Sequence, residues 1–216
     1  MKQVGIKELM LQVDLDSLLS ENINIDDKSA LFIVDMNNGF AKKGALYSKE
    51  VEDLIPEVVK VTEKFADKDC PIIAFSDCHT EDSPEFLTYP KHCLEGTEEV
   101  ELVDELKEFG DKIELIYKKS TNAFLEKATY KKINSLITDK GIKKFFVVGC
   151  LSEICVLQFC ITLKSFLTSI NINSDVIVPI KAIDTFNSAT HNRELNNILA
   201  VMDLAGNNIK LISDIE

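Results

Sequence analysis

Short apolar runs without polar alternation recur along the chain. They lie at residues 30–36, 71–76, 112–117, 143–149, 175–180 and 208–212. Such a run is typical of a strand that is buried on both faces, as in a parallel sheet. Between the runs, apolar residues recur every three or four positions, at 51–66, 99–109, 128–139, 152–170 and 192–204. This spacing predicts helices, three of which are followed by a glycine stop signal, at Gly110, Gly141 and Gly206.

Strands that alternate with helices of this length predict an α/β fold. We expect three layers, with a mostly parallel sheet of about six strands between helices on both faces. The length of 216 residues fits one domain, which we place at residues 29–216. Residues 1–28 alternate leucines with acids and are predicted to form an N-terminal lead-in segment, either a short helix on the domain or an arm.

Charge and cysteine usage narrow the class of protein. The formal net charge of −12 argues against nucleic acid or an anionic membrane surface as the partner, because both would be repelled. No apolar run approaches the ~20 residues of a membrane helix. The first residues lack the basic and apolar regions of an export signal. The six cysteines contain no CxxC pair and fit free thiols, so we expect a cytoplasmic protein.

Reactive side chains follow several of the apolar runs. Chemistry in such sheets collects at the carboxyl ends of the strands. Asp35 closes the first run, Lys118 follows the third, and Cys155 lies near the start of the helix after the fourth. Taken singly, each residue has an ordinary structural interpretation: Asp35 as a turn former, Lys118 as a solvated lysine and Cys155 as a core thiol. Together they predict an active site, because a nucleophilic cysteine needs a base and a cation, and a helix N-terminus stabilises its thiolate.

A second cluster follows the second apolar run. Asp77 and His79 are two residues apart and project to one side of an extended segment. His92 follows 13 residues after His79, beyond Glu85. Imidazoles with carboxylates suit Zn, Fe or Mn. The spacing matches neither a zinc finger nor HExxH, so an ordinary polar loop is the alternative.

Four motifs occur in one order along most of the chain. They read ALFIVDMNNGF, FSDCH with YPKHCLEGT, YKKSTNAF, and VVGCLSEICV. In this order they resemble the nicotinamidase branch of the isochorismatase-like cysteine hydrolases, from residue 30 to the C-terminus. The resemblance implies a catalytic triad of Asp35, Lys118 and Cys155.

The resemblance also implies the other site residues. The metal ligands would be Asp77, His79 and His92, and Glu85 falls where some members add a carboxylate. Further positions are implied by the same motifs: Phe40 and Tyr89 enclose a pyridine ring, the Cys150–Leu151 peptide is cis, and the backbone N–H groups of Leu151 and Cys155 form an oxyanion hole.

The activity implied by the resemblance is hydrolysis of nicotinamide to nicotinate and ammonia through a cysteine thioester, a step of NAD salvage. Pyrazinamide is a further expected substrate. The implied cofactor is a divalent metal ion, zinc in the first place and Fe or Mn as alternatives. Homo-oligomers occur in the family, and a homo-oligomer is one expectation for this chain.

Several positions depart from the family pattern. Asn37 and Gly39 replace a Gln and an Asp, Tyr89 stands where Trp or Phe is usual, and Asn122 replaces a Ser. These changes bear on substrate preference and pocket shape. The remaining histidine, His191, is interpreted as a packing or capping residue in the first turn of the last helix.

Three other functions compete with a nicotinamidase. One is another amide hydrolase of the same superfamily, although the carbamoyl-amide hydrolases lack the DxH…H loop and isochorismatases lack the nucleophilic cysteine. Another is a metal-binding or thiol-redox protein without amidase activity, which would use Cys78 and Cys93 beside the histidines. The last is a binding module on a degenerate hydrolase fold, against which the intact triad argues.

Overall fold

The computed structural model describes residues 14–21 and 23–215 and has a seven-stranded sheet at its centre. The strands are β1 (Ser29–Val34), β2 (Ile72–Asp77), β3 (Ile113–Lys118), β4 (Lys144–Cys150), β5 (Asp175–Pro179), β6 (Ile183–Asp184) and β7 (Lys210–Ile212). Their order is β3-β2-β1-β4-β5-β7, β6 pairs with β4, and every pairing is parallel. The α/β prediction and all six predicted strands are therefore confirmed. β6 was not predicted, because two residues are too short to form a recognisable apolar run.

Helices flank the sheet. They are α1 (Asn38–Ala41), α2 (Lys49–Ala66), α3 (Asp104–Lys107), α4 (Lys127–Thr138), α5 (Leu157–Ser169) and α6 (Arg193–Gly206). Short 3₁₀ turns lie at Asp16–Leu18, Pro84–Leu87, Glu98–Val100, Gly110–Lys112, Ala123–Leu125 and Ile180–Ala182. A π-helical turn at Ser152–Val156 precedes α5. No helix in the described part of the chain is long and apolar enough to cross a membrane.

The predicted helix over 99–109 is wrong as a continuous element. Only the single turn α3 and two flanking 3₁₀ turns form there. The Asn38 N–H donates to the Glu101 carbonyl at 2.9 Å, and the Val103 N–H donates to the Met36 carbonyl at 3.1 Å. These tertiary bonds hold residues 101–103 extended against the segment after β1, so a helix cannot pass through them.

Alternate residues of the central strands pack on opposite faces of the sheet. Leu31 and Ile33 join the core under α2, and Phe32 joins the core under α5. There Phe32 stacks on Phe75 at a ring distance of 5.7 Å and meets the edge of Phe159 at 5.1 Å. Burial of each such side chain stabilises the fold by about 1.5–3 kcal/mol. The sheet is therefore covered on both faces, as the apolar runs predict.

Part of the predicted lead-in segment contacts the sheet edge. The Ser20 N–H donates to the Leu211 carbonyl at 2.7 Å, and Leu15, Leu18 and Leu19 pack on the core under α5. The first 13 residues of this predicted segment, with its apolar residues Leu9, Leu11 and Val13, lie outside the described residues.

Candidate active site

The ends of three strands, β1, β3 and β4, bring the predicted triad together. Asp35 follows β1, Lys118 ends β3, and Cys155 lies in the π-helical turn after β4. Lys118 is fully buried, with its Nζ atom 2.8 Å from Asp35 Oδ2 and 3.9 Å from Cys155 Sγ. Lys118 Nζ also donates to the Ser120 carbonyl at 3.2 Å. The ammonium is thus held between a carboxylate and the thiol.

Burial sets the protonation of this cluster. Burial raises the pKa of Asp35 from 3.8 to about 7, against the opposing attraction of Lys118. Burial alone would lower the pKa of Lys118, but the carboxylates of Asp35 and Asp77 outweigh it and raise that pKa well above its ordinary value. Burial also raises the pKa of the Cys155 thiol, although the charge of Lys118 lowers it. The thiol is therefore protonated at rest, beside a carboxyl group whose pKa suits a proton acceptor near neutrality.

This resting state differs from the predicted thiolate at a helix N-terminus. Cys155 lies within the π-helical turn and α5 begins only at Leu157, so the thiol does not cap the first turn of the α-helix. The Ile154 and Val156 N–H groups both donate to the Leu151 carbonyl at 3.1 Å. The Cys150–Leu151 peptide bond is cis, which confirms that expectation.

The predicted metal ligands form a second cluster beside the first. Ligand atoms of Asp77, His79, Glu85 and His92 all lie within 4.8 Å of one another. Nε2 of His79 is 3.6 Å from Asp77 Oδ1, and Nε2 of His92 is 3.7 Å from Asp77 Oδ2. Glu85 Oε1 lies 4.0 Å from His79 Nε2 and 3.9 Å from His92 Nε2. Two imidazoles and two carboxylates therefore surround one point.

The hydrogen bonds of the two histidines favour metal binding. Nδ1 of His92 lies 2.8 Å from the Pro90 carbonyl, which can only accept, so the hydrogen is on Nδ1 and the Nε2 lone pair faces the cluster. Nε2 of His79 is buried and has no hydrogen-bond partner among the described residues. A buried lone pair without a partner is costly unless a cation satisfies it. The donor set fits a divalent ion such as zinc.

An apolar cleft joins the two clusters. Phe40 and Tyr89, the predicted aromatic positions, line it and lie beside His92, with ring distances of 5.7 and 6.3 Å. Residues that the sequence analysis missed also line the cleft, namely Leu46, Thr121 and Ile154. Leu46 and Thr121 lie in loops without periodicity, and the periodicity over 152–170 does not show that Ile154 faces the cleft, so only the folded chain reveals these residues.

The departures at Asn37 and Gly39 lie behind the cleft wall. Asn37 caps α1 by accepting from the Phe40 N–H at 3.2 Å, and it donates to Ser76 Oγ at 2.9 Å. A Cβ atom at Gly39 would lie 2.5 Å from Cys93 Sγ, so this position accepts no side chain without rearrangement. Neither residue lines the cleft, so both act on local structure.

Two further residues singled out in the sequence, Asn122 and His191, make hydrogen bonds outside the cleft lining. Asn122 caps the following 3₁₀ turn through the Phe124 N–H at 3.1 Å and donates to Thr162 Oγ1 at 2.8 Å. The prediction that His191 lies in the first turn of α6 is wrong. His191 precedes the N-cap Asn192 and contacts Glu153 instead, with 2.8 Å between Nε2 and Oε1.

Cysteines contribute no ligand to the metal cluster within the described residues. Cys93 is buried against Asn37 and the Glu99 carbonyl, and burial raises the pKa of its thiol. Cys78 is half-buried, and burial raises its pKa too. Two protonated thiols outside the cluster do not support the thiol-redox alternative.

Comparisons with known proteins give the family and the fold of the chain. A family model described as the isochorismatase domain matches residues 29–206. Nicotinamidase 1 of Arabidopsis thaliana is 32% identical over 197 residues, which cover 85% of this chain and 80% of the plant protein. The pyrazinamidase/nicotinamidase of Streptococcus mutans superposes with a TM-score of 0.70 at 21% identity, over 85% of this chain and 99% of that one.

A pyrazinamidase of Pyrococcus horikoshii, solved in complex with zinc, superposes with a TM-score of 0.69 at 22% identity, over 86% of this chain and 98% of that one. The parallel sheet and the cluster at its strand ends define an α/β enzyme. The chain belongs to the isochorismatase family of hydrolases.

Proposed function

We propose that this enzyme hydrolyses nicotinamide to nicotinate and ammonia, with Cys155 as the nucleophile. The observation that carries the proposal is the meeting of two clusters at one cleft, the triad and the metal group. The identity with the Arabidopsis nicotinamidase supports the choice of substrate. Pyrazinamide, which has the same carboxamide on an aromatic ring, is the second substrate that we propose.

The first half of the reaction forms a thioester. Asp35 takes the proton of the Cys155 thiol, and Lys118 stabilises the resulting thiolate. The sulfur attacks the carboxamide carbon, and the backbone N–H groups of Leu151 and Cys155 bind the oxyanion. Loss of one such donor typically costs ~10²–10³ in rate. The carbon–nitrogen bond then breaks, and Asp35 returns its proton to the departing ammonia.

The second half of the reaction releases the acid. Asp35 takes a proton from a water molecule, which attacks the thioester carbon. The carbon–sulfur bond breaks, and Asp35 returns its proton to the Cys155 sulfur. Nicotinic acid leaves and becomes nicotinate by losing its proton to the solvent. A single carboxyl group alternates between base and acid in both halves, which suits a pKa of about 7.

Asp77, His79, His92 and Glu85 would hold a divalent metal ion, for which we propose zinc, with Fe and Mn as alternatives. When bound, the ion supplies an open coordination position that orients the substrate through its ring nitrogen. Phe40 and Tyr89 enclose the ring from the sides of the cleft. We place the reaction in NAD salvage, since its product would be nicotinate. We place it in the cytoplasm, because all six cysteines are free thiols.

Ammonia release from nicotinamide by the purified protein tests the proposal. Release should fall after chelation and return when zinc is added back. Cys155→Ala protein is the blank for contaminating amidase. If metal-loaded protein releases no ammonia from nicotinamide but does so from another amide, the substrate is wrong. If it releases ammonia from no amide, the proposed activity is wrong.

A further inference from the structure

The turn that carries Cys155 is tied to residues 184–197, which run from the end of β6 into α6, by side chains outside the cleft. Two consecutive residues of the turn, Ser152 and Glu153, make these bonds. We call their partners, together with the residues that hold Asn197, the clamp: Asp184, Thr185, His191, Arg193 and Asn197. None of the clamp residues lines the catalytic cleft, so they do not contact a bound substrate there.

The first arm of the clamp runs from Ser152 to Arg193. Ser152 Oγ lies 2.6 Å from Asn197 Oδ1, and Asn197 Nδ2 donates to Asp184 Oδ1 at 2.8 Å. Arg193 Nε donates to the same Asp184 oxygen at 2.8 Å, and Nη2 pairs with the other. Because the Asp184 carboxylate only accepts, it fixes the orientation of the Asn197 amide and turns its oxygen toward Ser152.

The second arm holds Glu153. Its Oε1 accepts from Thr185 Oγ1 at 2.9 Å and lies 2.8 Å from His191 Nε2. His191 Nδ1 lies 2.9 Å from the Phe186 carbonyl, and the Phe186 ring stacks on the imidazole at 3.9 Å. Both nitrogens of His191 face acceptors, and the stacked ring limits rotation. Glu153 is thus fixed two residues before the nucleophile.

We infer that Asn197 and Glu153 are positioning residues for Cys155: through the clamp they hold the π-helical turn in register with Asp35 and Lys118. The inference rests on the proposed hydrolase function. Attack requires the sulfur and the oxyanion donors at fixed places, and a misplacement of ~1 Å can cost ~10²-fold in rate. The backbone N–H groups of Ile154 and Val156 bond to the Leu151 carbonyl, within the same segment of chain. The side chains of Ser152 and Glu153 instead bond the turn to the clamp.

Two neighbouring asparagines of α6 provide a matched test. Asn197→Leu removes the two bonds that Asn197 makes in the first arm, at similar side-chain volume. Asn196→Leu is the control, because the Asn196 side chain donates only to the Asn192 carbonyl of its own helix among the described contacts. On zinc-loaded protein, Asn197→Leu should lower kcat by about 10–100-fold with little change in KM. Asn196→Leu should keep kcat within about twofold of the wild type.

Alkylation of the Cys155 thiol by iodoacetamide, followed by mass spectrometry of its peptide, gives a readout independent of turnover. A displaced thiol loses its contact with Lys118 and its proton acceptor, so Asn197→Leu should change the alkylation rate by about threefold or more. If kcat and alkylation both match the Asn196→Leu control while only the melting temperature falls, the clamp is merely structural and the inference is wrong.

A second pair of variants tests the other arm and serves also if Asn197→Leu does not fold. Glu153→Gln keeps an oxygen that accepts from Thr185 and His191, whereas Glu153→Ala removes it. The Gln protein should keep kcat within about fivefold of the wild type, and the Ala protein should lose about tenfold or more. Equal kcat and equal alkylation rates in the two proteins would overturn the inference. A wild-type protein without amidase activity would instead overturn the proposed function, and the alkylation rates would still decide the role of the clamp.

Discussion

Lys118 and Asp77 lie directly opposite each other in the parallel register of β2 and β3, with 2.5 Å between Nζ and Oδ1. The same Asp77 carboxylate faces Nε2 of both His79 and His92. Burial alone would raise the pKa of Asp77, but Lys118 and the two histidines lower it. Sheet register therefore places one ionised carboxylate between the Lys118 ammonium and the proposed metal group, and the two clusters share a charge.

Cys155→Ala should abolish turnover while the protein keeps its fold. The substitution removes the sulfur that forms the proposed thioester, and the remaining oxyanion donors have no covalent intermediate to stabilise. Cys160→Ala is the matched control, because Cys160 is buried in α5 and lies outside the cleft. Ammonia release should be undetectable in the first protein and near the wild-type rate in the second. A Cys155→Ala protein that kept a tenth of wild-type turnover would show that another group is the nucleophile.

His92→Ala should release the metal. Loss of a direct ligand should weaken binding by more than the ~10–100-fold that follows loss of an outer hydrogen-bond partner. His191→Ala should keep its metal, because His191 bonds to Glu153 and does not belong to the metal group. Metal content after gel filtration compares the two proteins, and added zinc should partly restore turnover to His92→Ala. Equal metal content in both would mean that the ligand set is wrong.

Asp77→Asn should damage both clusters, whereas Glu85→Gln should damage only the metal group. Asp77 contacts Lys118, and Glu85 faces the two histidines at 3.9–4.0 Å. Both variants should need more zinc for half-maximal activity. At saturating zinc, Glu85→Gln should approach wild-type kcat, and Asp77→Asn should stay about tenfold or more below it, because Lys118 has lost a charged partner. Full recovery of Asp77→Asn by zinc would show that the Lys118 contact does not contribute to catalysis.

The apolar runs and motifs predict the strands and the residues at their ends more accurately than the helical periodicity predicts the helices. Strands buried on both faces leave a continuous signal, and motif order places Asp35, Lys118 and Cys155 at strand ends without any knowledge of their distances. The segment 99–109 shows where periodicity fails. Its spacing is helical, but bonds between residues 101–103 and 36–38 hold it extended, and a contact across more than 60 positions leaves no local pattern.

The nucleophile turn shows a second limit of sequence analysis. A helix over 152–170 is the correct element, but the π-helical turn at its start depends on two N–H groups that share the Leu151 carbonyl. The bond between His191 and Glu153 spans 38 positions and leaves no local pattern either, so the sequence indicates only a packing or capping residue at His191. Local pattern therefore predicts elements and reactive residue types, and tertiary hydrogen bonds decide how those residues are held.

The rate of hydrolysis should depend on pH through Asp35. Burial raises the pKa of this carboxyl to about 7, and only the carboxylate accepts the thiol proton. With zinc bound, part of the nearby Asp77 charge is neutralised, which lowers the pKa of Asp35. The midpoint of the acid limb of kcat/KM should therefore lie at or somewhat below pH 7. Below that point kcat/KM should fall about tenfold per pH unit. A flat profile between pH 5 and pH 7 would contradict Asp35 as the base.

The same raised pKa predicts the sign of a stability effect. A carboxyl whose pKa rises on folding favours the folded state when protonated. Its contribution is fully present below its ordinary pKa of 3.8 and is lost as pH rises through about 7. Asp35→Asn removes this titration. The melting temperature of Asp35→Asn minus that of the wild type should therefore be higher at pH 8 than at pH 5. Calorimetry at both pH values measures the difference, and a constant difference would show that Asp35 does not titrate in this range.

Gly149→Ala should destabilise the sheet just before the nucleophile turn. Gly149 has a φ of 114°, and a Cβ atom there would lie 2.1 Å from the Val34 carbonyl oxygen of the neighbouring strand. Backbone strain and overpacking each cost about 1–3 kcal/mol. Gly206→Ala is the matched control, because Gly206 ends α6 and a Cβ atom there meets no atom within 4 Å. The control should be neutral or more stable by about 0.5–1 kcal/mol. Urea unfolding of both proteins measures the effect, and equal midpoints would mean that β4 can move away from β1 at this position.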